Sequence, residues 1–150
     1  MREALIKPSA ISHNVGVLSQ MAHTPNLLIV VKANGYGHGA LTAARAALEG
    51  GANWLGTADI QEALELRAGG ITSRVLAWLL APTEDLLGAV EAGIDLGVAS
   101  LQQLQQVTSA VAGGSRAQIH LKVDTGLGRN GADPRDWEAL FQAAKDAQDS

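Results

Sequence analysis

Leu27-Leu28-Ile29-Val30-Val31-Lys32-Ala33-Asn34-Gly35-Tyr36-Gly37-His38-Gly39 is the stretch that decides how this chain is read. Five consecutive apolar residues form a buried strand, and a lysine stands where that strand ends. In parallel α/β proteins ligand chemistry gathers at the C-terminal ends of strands. A lysine partly withdrawn from water there loses some preference for its charged form and becomes a usable amine nucleophile toward an aldehyde. Gly35, Gly37 and Gly39 let the backbone turn sharply and come close to an anion. Tyr36 brings a hydroxyl that suits a phosphate oxygen. The competing interpretation is a lysine snorkelling from a strand end above an ordinary glycine-rich loop. A P-loop is excluded, because no Gly-Lys-Ser/Thr ending is present.

Outward from this stretch the chain keeps one rhythm. Gly50-Gly51, Gly69-Gly70, Gly93 and Gly113-Gly114 each follow a helix-like segment and precede a short apolar run, at separations of 19, 24 and 20 residues. Glycine just past a helix suits the left-handed C′ position, where other residues meet a Cβ clash. Residues 27–31, 53–56, 75–79, 96–99 and 119–123 are strand candidates, with 4–6 as a sixth. Ile11, Val15, Leu18 and Ala22 share one helix face. So do Ile60, Leu64 and Ala68 behind Asp59, with Glu62 three residues on, as in a capping box. Leu86, Leu87 and Val90 follow Thr83, and Leu101, Leu104, Val107 and Val111 follow Ser100. Trp137, Leu140, Phe141 and Ala144 follow Asp133-Pro134, a cap with proline at the first helical position. Strict alternation of this kind leaves two architectures, an open doubly wound sheet or a (β/α)8 barrel. A barrel needs eight strands and roughly 250 residues, so five or six strands would make an incomplete one. The pattern alone does not choose. No linker interrupts the chain, and residues 1–150 are read as one unit.

Composition narrows the function classes. Hydrophobic residues at 47% and charged ones at 17% are globular rather than disordered proportions. Lys and Arg number 11 against 15 Asp and Glu, a net charge of -4 with no basic stripe, which argues against nucleic acid. The chain has no cysteine, hence no disulfide or thiolate metal site. His13, His23, His38 and His120 match no ligand spacing, so no metal is expected. Residues 1–7 lack the apolar stretch of a signal peptide, and nowhere do about 18 apolar residues run together, so neither export nor a membrane is expected. A cytoplasmic protein is the plain expectation. Trp54, Trp78 and Trp137 read as packing residues, with the mouth of a site as the other place for Trp78. Gln102, Gln103, Gln105 and Gln106 read as a solvated helix face.

A second charged strand end lies at His120-Leu121-Lys122-Val123-Asp124-Thr125-Gly126-Leu127-Gly128-Arg129-Asn130-Gly131. In a strand, Lys122 and Asp124 share one face. Arg129, beyond the turn, is placed to fold back to the same mouth, where a permanently charged guanidinium binds an anionic oxygen without supplying a proton. Taken alone, the block reads first as a surface Lys–Asp pair beside a turn.

The first stretch resembles the pyridoxal-phosphate attachment signature of the alanine racemase family, with Gly35 where the family usually has alanine. The second resembles that family's second block in sequence and order. Residues 8–15, 57–63 and 95–100 are similar to further family segments, so the resemblance covers most of the chain, to near Gly131. It implies a partial (β/α)8 TIM-type barrel made of N-terminal βα units, with residues 1–150 as the N-terminal portion of the cofactor-binding barrel domain. It implies pyridoxal 5′-phosphate as cofactor and interconversion of L-alanine and D-alanine, an isomerase activity supplying D-alanine for peptidoglycan. Lys32 is then the cofactor lysine and one of two catalytic bases, and Tyr36 a phosphate ligand. Arg129 is then the partner of the cofactor's phenolic oxygen, and Lys122 the lysine that many members carry N-carboxylated, holding that arginine. Asn34 and His38 are given local shaping roles only.

Racemisation needs a base on each face of the α-carbon. In this family the second is a tyrosine from the partner subunit of a homodimer, and Tyr36, the one tyrosine here, is already in the loop. The resemblance therefore implies a fragment lacking the remaining strands and a C-terminal β domain, inactive by itself, where strand 4–6 would pair. Three other functions compete with this one. A pyridoxal-phosphate carrier barrel should lack Tyr-Gly-His-Gly and the Asp-Thr-Gly block. A serine or broad-specificity racemase would share both motifs. An open-sheet nucleotide-binding protein should show a phosphate fingerprint after its first strand, and none is present.

Overall fold

A computed structural model describes residues 2–148. Helix α1 (Pro8–Ala22) is followed by strand β1 (Leu28–Val30), a turn of left-handed helix α2 (Lys32–Tyr36) and helix α3 (Ala40–Glu49). Then β and α alternate: β2 (Trp54–Thr57), α4 (Ile60–Ala68), β3 (Arg74–Ala77), α5 (Leu86–Glu91), β4 (Ile94–Val98), α6 (Leu101–Ala110) and β5 (Ile119–Leu121). A 3-10 turn (Pro134–Asp136) leads into α7 (Trp137–Gln148).

The five strands form one wholly parallel sheet in the order β1-β2-β3-β4-β5. That order chooses between the two architectures. A doubly wound sheet reverses direction at a switch point, whereas here each strand lies beside its sequence neighbour, as in a barrel wall. The fold is part of a (β/α)8 barrel. Residues 4–6 form no strand, so the sixth candidate is not one within the described chain.

Alternation along the strands sorts the side chains into two sets. Leu55, Val75, Ala77, Leu96 and Val98 are fully buried in the core shared with the helices. The other set, from Trp54, Gly56, Arg74, Leu76, Asp95, Gly97 and His120, lines the inner face, in mutual register. Helix α3 carries its buried face on Ala43, Ala44, Ala46 and Ala47, small residues that let it pack closely on α1. The glycine punctuation behaves as expected: Gly51, Gly70, Gly93 and Gly114 all have positive φ.

Three local expectations are corrected. Helix α5 is capped by Asp85, whose side chain accepts from Gly88 N–H, and not by Thr83. Asp133 and Pro134 open the 3-10 turn, and α7 starts only at Trp137. The glutamine face of α6 is not uniformly solvated. Gln103 N–H donates to the Ser100 cap at 3.2 Å, while its side-chain Oε1 accepts from Ala99 N–H, one residue before that cap, at 2.8 Å and its Nε2 donates to Leu80 O at 3.3 Å.

Candidate active site

Strand β1 ends at Val30, and the chain turns at once into αL backbone. Ala33, Asn34 and Tyr36 have φ of 52°, 54° and 54°, and Gly35 between them 64°. Only glycine adopts this region freely, and each of the other three costs roughly 1–2 kcal/mol. The glycines signalled a sharp turn, but not that three side-chain-bearing residues would share it.

The strain is held by local bonds. Gly35 N–H donates to Val31 O at 2.8 Å, and Ala40 N–H, one of the orphan donors opening α3, donates to Asn34 Oδ1 at 2.8 Å. His38 Nδ1–H donates to Gly35 O at 2.9 Å. Asn34 and His38 thus shape the loop. Lys32 is half-buried at the strand end, and Tyr36 is 60% exposed beside it.

At the opposite edge of the sheet the second block is built differently. Lys122 N–H continues the ladder to Val98 O, and its Nζ donates to the carbonyl of Trp78 at the end of β3. Burial lowers the Lys122 pKa. Asp124 turns away from Lys122: its Oδ1 accepts from Gly126 N–H at 2.9 Å and Gly128 N–H at 3.1 Å, which closes the loop. These backbone bonds hold the Asp124 carboxyl below its ordinary value. The surface Lys–Asp pair weighed from sequence does not form. Arg129 is exposed, and among the described residues it makes no hydrogen bond or ion pair.

Lys32 and Tyr36 therefore share one loop, while Lys122 and Arg129 stand across the mouth, at the C-terminal end of the other edge strand. No hydrogen bond or ion pair joins the two blocks among the described residues. Between them lies Trp78, against strand positions that only glycine can fill. A methyl at Gly56 would come within 2.5 Å of the indole, and one at Gly97 within 2.7 Å of the Trp78 Cα. Trp78 is thus an inner-face residue at the mouth.

Beneath it is a cluster the sequence did not announce. Asp95, 3% exposed, accepts from Arg74 Nη2 at 2.5 Å and is 2.9 Å from His120 Nε2. The Arg74 guanidinium lies 3.7 Å over the Trp54 ring, which meets His120 edge-on. This cluster fixes the early part of the inner face, below the mouth, and so positions the wall rather than the chemistry. Among the described residues no group of side chains has a metal-binding arrangement.

A barrel wall with a lysine on a clamped, strained turn at its C-terminal mouth, faced by a second basic loop, defines a candidate enzyme site of the barrel class. Residues 6–149 match the family described as alanine racemase, N-terminal domain, and the chain belongs to that family. It is 52% identical over 147 residues to the alanine racemase of Thermobifida fusca, covering 97% of this chain and 39% of that protein. The structure of alanine racemase from D-cycloserine-producing Streptomyces lavendulae superposes with a TM-score of 0.92 at 49% identity, covering 95% of this chain and 38% of that one. That of the Bacillus anthracis enzyme with bound L-Ala-P superposes with a TM-score of 0.85 at 30% identity, covering 95% and 37%. The chain thus spans about two-fifths of the length of the relatives it matches.

Proposed function

We propose that this chain is the N-terminal portion of the cofactor-binding barrel of an enzyme that interconverts L- and D-alanine with pyridoxal 5′-phosphate. The observation that carries the proposal is Lys32, half-buried at the end of β1 on a strained turn followed by Tyr36 and open glycines. A methyl added at Gly37 would meet nothing within 4 Å. A primary amine, a phenol, accessible loop backbone and a free guanidinium are a donor set suited to an aldehyde, a phosphate and a phenolate on one molecule.

Lys32 would hold the cofactor through its amine, and that amine, when free, would take or return a proton at one face of the α-carbon. When bound, the cofactor supplies an electron sink for the charge left on that carbon. Tyr36 donates its hydroxyl to phosphate. Arg129 pairs with the phenolic oxygen, and its permanent charge keeps it from protonating the ring system. Lys122 stands behind it. This lysine is half-buried with its amine on the Trp78 carbonyl, burial lowers its pKa, and the family resemblance is what implies N-carboxylation there. The family resemblance makes the second base a tyrosine, and Tyr36, the one tyrosine in these 150 residues, is assigned to the phosphate, so that base would come from outside them. A tyrosine of a partner subunit fits that need and makes the active enzyme a homodimer. A cytoplasmic enzyme supplying D-alanine for peptidoglycan follows from the same proposal, and no helix among the described residues is long and apolar enough to cross a membrane.

The test is cofactor trapping. The complete reading frame encoding this chain is incubated with pyridoxal 5′-phosphate, reduced with borohydride and mapped by mass spectrometry. The reduced adduct is expected on Lys32, and Lys32→Ala should abolish both adduct and D-alanine formation from L-alanine. An adduct on Lys7, Lys122 or Lys145 instead would overturn the assignment.

A further inference from the structure

Helix α4 begins behind Asp59, whose carboxylate accepts from Glu62 N–H at 2.9 Å. In an ordinary capping box the glutamate would reach back to the N–H of its own cap residue. Glu62 does something else. Its Oε2 accepts from Ala58 N–H at 2.9 Å, and its Oε1 crosses to α2 and accepts from Ala33 N–H at 2.6 Å. The Ala33 amide immediately follows Lys32 and opens the left-handed turn, so it has no helical acceptor of its own. Among the described residues, the other side chains bonded within this turn, Asn34 and His38, belong to the loop itself. Glu62 is the side chain that reaches into the turn from another element and holds the Ala33 amide, through a short bond to a charged acceptor.

We infer that Glu62 is a positioning residue for Lys32. One half-buried carboxylate ties the backbone after the lysine to the backbone after β2, fixing the Lys32 Cα and with it the direction in which the amine leaves the sheet. Without that acceptor, the Ala33 amide loses the partner that opposes its relaxation toward ordinary φ, and the amine would swing off its line. The inference rests on the assignment of Lys32 as the cofactor lysine.

The experiment compares Glu62→Gln and Glu62→Ala with Asp59→Ala, in the complete reading frame. The isosteric glutamine keeps one oxygen acceptor and presents an N–H2 to the other amide. Asp59→Ala weakens the same helix start but leaves both Glu62 oxygens free to bond. The readouts are the pyridoxal 5′-phosphate concentration giving half-maximal borohydride-trapped adduct on Lys32 and the hydrogen-exchange rate of the Ala33 amide without cofactor. Thermal unfolding is the control. Both Glu62 variants should raise the half-maximal concentration about tenfold or more, the range seen when groups orienting a ligand are lost. They should also speed Ala33 exchange, while Asp59→Ala stays within about twofold of the unmodified protein. Equal trapping in Glu62→Gln and the unmodified protein, or equal defects in Asp59→Ala, would reduce Glu62 to a helix cap and overturn the inference. Failure of the unmodified protein to be trapped on Lys32 would instead sink the assignment of the lysine itself.

Discussion

Gly97→Ala adds a single methyl on the inner face of β4, where the mouth of the barrel is most tightly built. That methyl would sit 2.7 Å from the Trp78 Cα and 3.1 Å from both the Trp78 Cβ and the Lys122 Cδ. Carbon atoms pack best at about 3.5–4.0 Å, so all three contacts are repulsive, and one is against backbone. Strand β3 is laddered to β4 through Ala77 and Leu96, one residue before the clash, so the Trp78 Cα cannot retreat without stretching the sheet. Overpacking of this kind costs about 1–3 kcal/mol, and the backbone contact places this case in the upper half. Replacing glycine restricts the unfolded chain and returns about 0.4–1 kcal/mol. The expected net loss is about 1–2 kcal/mol. Gly113→Ala is the matched control, because a methyl there meets nothing within 4 Å and the backbone is not left-handed. Urea unfolding at an unchanged slope of about 2 kcal/mol/M should place the Gly97→Ala midpoint about 0.5–1 M below that of the parent, and Gly113→Ala at or slightly above it. Equal midpoints for the two variants would show that the wedge of Trp78 between glycines does not constrain the wall.

Arg67→Met keeps an apolar stem but removes donors to four carbonyls, Ala92 O, Ile71 O, Ser73 O and Gly93 O, at 2.8–2.9 Å. A loss of about 2–4 kcal/mol in urea unfolding is expected, and a loss below about 1 kcal/mol would show that water replaces the guanidinium freely. In acid, the bonds Asp133 receives from the Arg135 side chain and N–H hold its carboxyl down to about 2, and Asp124 is lowered by the N–H groups of Gly126 and Gly128. Carboxyls depressed in the fold contribute stability above their ordinary value of 3.8 and lose it as pH falls through the folded value. The urea midpoint should therefore drop between pH 3.8 and about 2, more shallowly in an Asp124→Asn, Asp133→Asn double variant, and identical slopes for the two proteins would refute this linkage.

Strand β1 and the lysine beyond it were legible because an unbroken apolar run ended by a charge is conspicuous, although Leu28–Val30 are only partly buried at this edge of the sheet. The sheet order was not, since barrel and doubly wound sheets share the same β/α alternation and differ only in which neighbours pair. Asp95 gave no signal: it reads as a polar break in an apolar strand, and its partners Arg74 and His120 lie 21 and 25 residues away. Glu62 was read correctly as belonging to a cap, yet its decisive bond is to a backbone amide 29 residues back, which no side-chain pattern reveals. Helix α3 escaped the search for large apolar spacings because its buried face is alanine.

The two loops at the mouth solve different physical problems, and their construction shows it. The Lys32 loop keeps three side-chain-bearing residues in left-handed backbone and holds them with bonds from Asn34, His38 and Glu62. Strain persists only where the surroundings over-determine it. The loop of Arg129 spends no such energy. Its positive φ angles fall on Gly126, Gly128 and Gly131, and its closure is the Asp124 carboxylate bonding its own neighbours. An amine that must form a bond to carbon needs its direction fixed to within a fraction of an ångström, because covalent attack tolerates little misalignment. A guanidinium that pairs with an anionic oxygen acts through a field that falls off slowly, so an adaptable glycine loop suffices. On the proposed chemistry, the backbone strain of the mouth therefore sits in the turn directly after Lys32, the one residue whose direction cannot be approximate.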